Sequence, residues 1–221
     1  MQDQLMQQAE PMEPSEPAQP AAEEKARGVT APDGTTKAKI ERAALVMFAE
    51  HGVDAVTTRE IASASGVSEG ALYRHYPGKE RLAETLFFTI HKKLAAEVRV
   101  AAAEGAPVHE QAQAVVRAYC RIADEDWPLF SYHLLTTHRF LPRAAEAQRA
   151  DTDNPVAAVA AVIEAAMGRG DLPEGDSELK AAMALGVVLQ PALHKVYGRI
   201  DGSLSSLEDE LSNAVIAVLQ S

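Results

Sequence analysis

Five polar side chains fall within eight residues, in the order Ser68, Glu69, Tyr73, Arg74 and His75. Their types suit contact with a nucleic acid, because Arg74 can reach a phosphate or a guanine and Glu69 can accept from a cytosine amine. The amides of residues 68–70 lie at a predicted helix start, where they present partial positive charge to a phosphate. Gly70 permits close backbone approach. The segment is therefore a candidate for contact with duplex DNA.

Other reactive residues predict no catalytic or metal site. His133 and His138 lie five residues apart without a paired Cys/His spacing or an HExxH motif, so no metal or cofactor is expected. Cys120 is the single cysteine, on an apolar stretch, and is interpreted as a small buried side chain rather than a redox sensor. The acidic run 124–126 precedes Trp127 and is interpreted as favourable charge at a helix N-terminus.

The elements that position the polar segment are two short helices. Thr57 and Glu60 form a capping box that starts the first of them, which ends near Ala64. Gly66 tolerates the positive φ of a tight turn, and Ser68 can cap the second helix, which runs to about His75. This pattern is typical of a helix-turn-helix, with Ala62 as the small residue at the crossing.

An apolar wedge is predicted beneath these helices. Ile61, Val67 and Leu72 are placed to pack against Met47 and Phe48 of a preceding helix that starts at Thr36. Tyr76 is interpreted as a packing residue whose hydroxyl reaches water. The side chains expected to face outward are Ser68, Glu69, Gly70, Ala71, Tyr73, Arg74 and His75.

Composition and charge favour an all-α protein of this kind. The 221 residues are 47% hydrophobic but only 5% aromatic, and alanine is abundant, which favours closely packed helices. The net charge of -11 argues at first against DNA, yet residues 35–81 hold seven lysines and arginines against six acids. One cysteine and the lack of a long apolar run predict a cytoplasmic protein that enters no membrane.

The rest of the chain divides into a tail and a helical region. Residues 1–34, rich in proline and acid, are expected to form a disordered tail outside the fold. A long helix is predicted from Lys79 past Arg99. Further helices are expected at 108–123, 127–137, 154–167, 177–197 and 204–219, with no convincing strand.

Residues 57–62, 66–76 and 79–82 together resemble the DNA-binding signature of TetR-family regulators. The resemblance implies a helix-turn-helix DNA-binding domain over 35–82 and a helical domain for effector binding and dimerisation over 83–221. It also implies a recognition helix at 68–75, with Tyr73 and His75 on phosphates and Lys79 at the start of helix four. The residues expected to contact DNA are Thr57, Thr58, Arg59, Ser68, Glu69, Gly70, Ala71, Tyr73, Arg74, His75 and Lys79.

Two departures from that signature are visible, since Tyr76 stands where phenylalanine is commoner and Pro77-Gly78 replaces a polar pair. For an effector pocket, which needs apolar walls with a few polar anchors, the candidates are His91, Tyr119, Trp127, Phe130, His133, Leu134, Met167, Met183 and Gln190. For a dimer interface of two helices from each chain, the candidates are Gly186, Leu189, Leu193, Leu207, Leu211, Val215 and Val218.

These observations predict a repressor that binds a palindromic operator as a homodimer and leaves it when a small molecule binds. A DNA-binding activator or a ligand-independent factor remains open. An α-helical enzyme using the region of His133 and His138 is the alternative from another class, against which stands the absence of a nucleophile-base-orienter set in the sequence.

Overall fold

The protein is described by a computed structural model, which covers residues 27–141 and 153–221. Every regular element in those two ranges is helical. The α-helices are α1 (Thr36–His51), α2 (Thr58–Ala64), α3 (Glu69–His75), α4 (Lys79–Ala101), α5 (Val108–Glu125), α6 (Trp127–Phe140), α7 (Pro155–Gly168), α8 (Ser177–Val196) and α9 (Glu208–Leu219). The all-α expectation is confirmed.

Local capping explains where the first helices begin and end. Thr35 accepts from the amide of Ala38 at the start of α1, and Gly52 ends that helix with a φ of 80°. The two largest differences from the predicted boundaries are at Leu204 and Thr137. The helix expected from Leu204 begins with a 3-10 turn (Leu204–Leu207) before α9, and α6 continues three residues past Thr137, to Phe140, because the first proline after it in the sequence is Pro142.

The long helix α4 connects the two halves of the molecule. It packs against α1 and α6 and also against α5 and α7. Leu82, Phe87 and Leu94 are among its fully or almost fully buried residues. One helix therefore belongs to both the core under the helix-turn-helix and the core of the C-terminal domain.

Helix α6 joins the N-terminal unit through ion pairs at both ends. Asp126, which caps α6, lies 2.7 Å from the Arg42 guanidinium of α1. At the other end Arg139 lies 2.8 Å from Asp54, in the loop after α1, and 2.8 Å from Glu80 of α4. Between them, the Tyr132 hydroxyl donates to the Ala83 carbonyl at 2.7 Å. Displacement of α6 or α4 must therefore disturb the unit that carries α3.

Residues 1–26 of the predicted tail lie outside the described residues, but residues 27–34 differ from the expectation. Val29 is only 5% exposed, and its amide donates to the Glu41 carboxylate at 2.8 Å. The Val29 carbonyl accepts from Lys93 of α4 at 2.6 Å. This stretch belongs to the fold because a buried carboxylate on α1 supplies acceptors for its backbone.

Candidate nucleic-acid interface and effector cavity

The turn between α2 and α3 has the geometry of a helix-turn-helix. Gly66 adopts a φ of 68°, and the amide of Val67 donates to the Ala62 carbonyl at 3.0 Å. Ser68 caps α3 by accepting from the Ala71 amide. Ile61 and Leu72 are fully buried, so the apolar wedge fixes the angle between the two helices. Met47 and Val67 are only partly buried at its edge.

The outward face of α3 is polar and accessible. Tyr73 is 50% exposed, and Ser68, Glu69, Gly70, Arg74 and His75 are exposed with it. Ala71 is the exception, with 8% of its surface exposed. It was expected outward, but it shares the inner face with Leu72, so its side chain does not join this surface.

The start of α2 lies beside α3 and extends the same surface. The capping box is present, since Thr57 accepts from the Glu60 amide and Glu60 accepts from the Thr57 amide. These hydrogen bonds from Thr57 hold the pKa of Glu60 below its usual value. The Thr58 hydroxyl lies 3.2 Å from the Tyr73 hydroxyl, and Arg59 is exposed. The first turn of α2 and the middle of α3 thus form one polar face.

Lys79 has a different role from a free phosphate ligand. Its ammonium donates to the Asp54 carbonyl at 2.9 Å and to the Val56 carbonyl at 2.7 Å. These bonds tie the start of α4 to the loop between α1 and α2. Two of its three donors are therefore used within the protein.

Tyr76 is buried, and its hydroxyl is not in water as expected. It donates at 2.6 Å to Glu41, which is itself fully buried on α1. Glu41 also accepts from the Val29 and Thr30 amides at 2.8 Å and from the Thr30 hydroxyl. Burial raises the pKa of Glu41, but the hydrogen bonds from Thr30 and Tyr76 outweigh it and lower the pKa overall. The sequence signal for this network was an acidic residue on the apolar face of α1.

Two of the effector candidates form a histidine pair between α4 and α6. His91 Nδ1 lies 2.9 Å from His133 Nε2, and Phe87 stacks on both rings. Burial and then the neighbouring His91 lower the pKa of His133 to about 3. His138 lies on the exposed side of α6 and does not join the pair. In the two described ranges no group of three His, Cys, Asp or Glu residues is arranged to hold a metal ion.

A separate cavity of about 40 Å³ lies among α4, α5, α7, α8 and α9. Its walls are valine, leucine, isoleucine and alanine side chains, with Gln111 and Tyr119 from α5. Tyr119 is the one effector candidate that lines it, and burial raises the pKa of its hydroxyl. The sequence reasoning missed Gln111, although it shares the face of α5 that carries Val108, Val115 and Tyr119.

The remaining effector candidates are dispersed. Phe130 packs edge-on against Tyr119 and stacks with Trp127. Leu134 and Met167 are partly buried against the core. Met183 and Gln190 were wrong as candidates for an internal pocket, because both lie on the exposed face of α8, opposite its buried alanines and leucine.

The cysteine has the structural role expected of it, but of the acidic run only Asp126 lies at a helix N-terminus, because Asp124 and Glu125 belong to the last turn of α5. Cys120 is buried, and burial raises the pKa of its thiol to about 11. Asp126 caps α6, and Asp124 accepts from the amides of Leu204 and Ser205 at 2.8 and 2.9 Å. Asp126 therefore caps α6, and Asp124 binds the start of the 3-10 turn that precedes α9.

The dimer candidates separate into two groups. Leu211 and Val215 are 7% and 5% exposed because α9 packs them against α5 and α8, so they belong to the core of the single chain. Leu189 and Leu207 are also packed partly against that core. Gly186 is exposed, and Leu193 and Val218 are partly so.

The exposed apolar face of α8 follows a seven-residue period. Leu179 and Tyr197 are each 58% exposed and Met183 is 42% exposed. With spacings of four and three residues, this heptad face comprises Leu179, Met183, Gly186, Gln190 and Leu193 of α8 and Tyr197, which directly follows the helix. This spacing keeps one seam aligned along a helix, as in helices that pack side by side.

The fold and the exposed face of α3 define a helix-turn-helix protein with an attached helical domain. Residues 40–86 match the family described as bacterial regulatory proteins, tetR family. The resemblance read from the sequence is therefore confirmed. No helix in the described ranges combines the length and apolarity needed to cross a membrane.

Other proteins are similar to part of this sequence or to its fold. A nucleoid occlusion factor SlmA from Haemophilus ducreyi is 45% identical over 49 residues, which are 22% of this chain and 24% of that protein. The chain thus matches about a quarter of the length of this curated relative. Two solved structures show the same fold over nearly their whole length.

The TetR family regulator PfmR from Thermus thermophilus has a TM-score of 0.66 and 22% identity, covering 84% of this chain and 96% of that one. The transcriptional regulator FadR from Bacillus subtilis, solved in complex with stearoyl-CoA, has a TM-score of 0.68 and 18% identity, covering 81% and 97%. The TetR-like fold therefore extends through the C-terminal domain.

Proposed function

We propose that this chain is a transcriptional repressor that binds a palindromic operator in double-stranded DNA as a homodimer and releases it when a small molecule binds. The observation that carries the proposal is the exposed polar face of α3, which follows the tight turn at Gly66 and is supported from beneath by the buried Ile61 and Leu72. Residues 35–82 are assigned to DNA binding and 83–221 to effector binding and dimerisation. No catalytic activity is proposed, and the protein would act in the cytoplasm, where its operator lies.

The assigned DNA contacts follow from exposure and chemistry. Arg74 is assigned to a guanine edge or a phosphate and Glu69 to a cytosine amine, while Tyr73 and His75 are assigned to phosphates. The Tyr73 hydroxyl is held near Thr58, so both reach the same backbone. Thr57, Arg59, Ser68 and Gly70 complete the surface. Lys79 is assigned mainly to holding the loop before α2, with one donor left for a phosphate.

The test is DNA binding by fluorescence anisotropy, using duplexes from the region upstream of the gene and a salt titration. We expect affinity to fall steeply with salt, since lysine and arginine contacts release counterions. Arg74→Ala should weaken specific binding by about 10-fold to 100-fold. Arg121→Ala, an exposed arginine of α5, is the matched control and should bind as the wild type does. No binding by the wild type at low salt would overturn the proposal.

The second copy in the proposed dimer is placed on the heptad face of α8 defined above. Apolar side chains with this exposure and spacing lose water when two such helices pair. Two recognition helices on one face of DNA must lie about 34–36 Å apart, or a near multiple of that distance, which a twofold dimer can provide. Light scattering with Met183→Glu tests the placement, and we expect a monomer.

Val100→Glu is the control for that variant, because Val100 is 79% exposed on α4 but lies outside the heptad face. It should leave the oligomeric state unchanged. Dimers that persist in Met183→Glu would reject α8 as the interface. That outcome would not affect the proposal that α3 binds DNA, which the anisotropy experiment tests separately.

The second candidate is a DNA-binding activator or a regulator that needs no effector. The similarity to a nucleoid occlusion factor SlmA spans 49 residues, 22% of this chain, and does not separate the two candidates. Transcript levels in a deletion strain separate a repressor from an activator, because repressed genes should rise. An operator affinity that no small molecule changes would favour the effector-independent candidate.

A further inference from the structure

Gln111 is a buried amide with only one of its two polar ends bonded. The side chain is 5% exposed, and Nε2 donates to the Ala103 carbonyl at 2.8 Å, in the loop after α4. Within the described residues, Oε1 is buried and has no hydrogen-bond partner. The bond from Nε2 fixes the orientation of the amide, because a flipped amide would place two oxygens against each other. The group left unpaired is therefore an acceptor.

This acceptor belongs to a residue that lines the apolar cavity. Apart from Gln111 and Tyr119, the walls of the cavity are hydrocarbon side chains. None of the described residues that line the cavity is charged. A buried acceptor without a donor is unfavourable and uncommon in folded proteins. Gln111, whose oxygen is unpaired, is itself one of the walls of this empty apolar space, so both observations point to the same missing occupant.

We propose that the cavity takes a small uncharged molecule whose hydroxyl, or equivalent donor group, gives the hydrogen bond that Gln111 Oε1 lacks. This inference rests on the proposed function only in naming that molecule as the effector. An organic acid is disfavoured, because its carboxylate would bring acceptors to an acceptor and be buried without a cation. An amine is disfavoured because none of the described residues that line the space carries a carboxylate to pair with its charge.

The small size of the cavity means that a bound ligand can change the packing of the helices around it. A volume of about 40 Å³ holds only a few atoms. A larger ligand must part the surrounding helices, and Val98 of α4 is one of the walls. Because α4 begins at Lys79, which is bonded to the loop before α2, entry of such a ligand acts on the helix that reaches the DNA-binding unit.

The experiment compares three probes of similar length by isothermal titration on the full chain: hexan-1-ol, its isomer methyl pentyl ether, and hexanoate. The ether has the same atoms as the alcohol but no donor. We expect the alcohol to bind about tenfold more tightly than the ether, the effect of one buried hydrogen bond. Hexanoate should bind more weakly than either.

Two variants locate the effect. Gln111→Leu removes the acceptor while keeping a similar length, and we expect the ratio of alcohol to ether affinity to fall to about one. Gln113→Leu is the matched control, since Gln113 lies on the same helix but is exposed. Its ratio should stay at the wild-type value.

Equal affinity of the wild type for alcohol and ether would overturn the proposal, as would tighter binding of hexanoate or no binding of any probe at millimolar concentration. This comparison needs no variant, so misfolding of Gln111→Leu would not remove the test. An unchanged ratio in folded Gln111→Leu would also overturn it. Titration without DNA keeps the result separate from the operator test, so failure of either proposal can be recognised alone.

Discussion

The N-terminal unit and the C-terminal domain differ in the hydrogen bonding of a buried polar side chain. Glu41 on α1 is fully buried, and its carboxylate accepts from two amides and two hydroxyls. Gln111 on α5 is buried to nearly the same degree, but its oxygen has no partner within the described residues. One region completes its polar bonds from its own chain, and the other leaves an acceptor beside an empty space.

The contrast extends to how each region is held together. The unit that carries α3 is fixed by caps, a capping box and ion pairs to α6, all of which are directional. The walls of the C-terminal cavity are mainly valine, alanine and leucine, whose packing is not directional. A directional network suits a surface that must match DNA, whereas apolar walls can shift around a ligand.

Removal of the Glu41 carboxylate is the strongest test of this contrast. Glu41→Ala leaves buried amide and hydroxyl donors without an acceptor, so the free energy of unfolding should fall by about 3 kcal/mol. Urea denaturation at pH 7 measures the change. Glu50→Ala, also acidic and on α1 but exposed, is the control and should change it by less than about 0.5 kcal/mol.

The pH dependence gives the sign of the same effect. The pKa of Glu41 is lower in the folded protein than its unfolded value of 4.5, so its stabilisation is complete above pH 4.5 and is lost as pH falls through the folded pKa. The difference in free energy of unfolding between the wild type and Glu41→Ala should therefore become smaller as the pH falls below 4.5. A difference in free energy of unfolding that stays constant down to pH 2 would contradict the inference that Glu41 is an ionised, hydrogen-bonded carboxylate in the folded protein.

The histidine pair between α4 and α6 tests the boundary of the two regions. The pKa of His133 is lowered to about 3, although part of its side chain reaches the surface, so the unfolded chain takes up a proton that the folded chain does not. The contribution of His133 to the free energy of unfolding should therefore fall by about 1.4 kcal/mol for each pH unit below about 6. Chemical denaturation from pH 7 to pH 5 measures the slope.

His133→Phe should reduce that slope by the contribution of one proton, because phenylalanine cannot be protonated. His138→Phe, on the exposed side of α6, is the control and should keep the wild-type slope. Identical slopes in all three proteins would mean that His133 titrates alike in the folded and unfolded states.

The contrast also explains which features the sequence predicted. Caps and turns are local signals, so Thr57, Gly66 and Ser68 predicted α2, α3 and the turn between them almost to the residue. The partners of Glu41 come from distant positions in the chain, and no local pattern predicts them. Met183 and Gln190 were placed in a pocket because residue type alone does not say which face of α8 is covered.

The ion pair between Arg42 and Asp126 measures how firmly α6 is joined to the N-terminal unit. Both side chains are partly buried and two carboxylate oxygens meet one guanidinium, so a double-mutant cycle should give a coupling of about 1.5 kcal/mol. Arg42→Ala and Asp126→Asn are suitable, because asparagine retains the cap of α6. The exposed pair of Arg121 and Glu125 is the comparison and should couple by less than about 0.5 kcal/mol.

A coupling between Arg42 and Asp126 no larger than that of the exposed pair would show that α6 is joined to α1 by apolar packing alone. Directional bonds would then hold the N-terminal unit together internally but would not join that unit to α6.

Replacement of glycine by alanine should lower the free energy of unfolding at Gly66 in the N-terminal unit and raise it at Gly186 in the C-terminal domain. Gly66→Ala places a Cβ at a φ of 68°, so it should lower the free energy of unfolding by about 1 kcal/mol through backbone strain, with no clash. Gly186→Ala lies in the exposed middle of α8, where alanine favours the helix, and should raise it by up to about 1 kcal/mol. Thermal denaturation at several protein concentrations measures both. A gain at Gly186 that vanishes as concentration rises would mean that a second chain approaches this backbone too closely for a methyl group, and stabilisation by Gly66→Ala would contradict the turn itself.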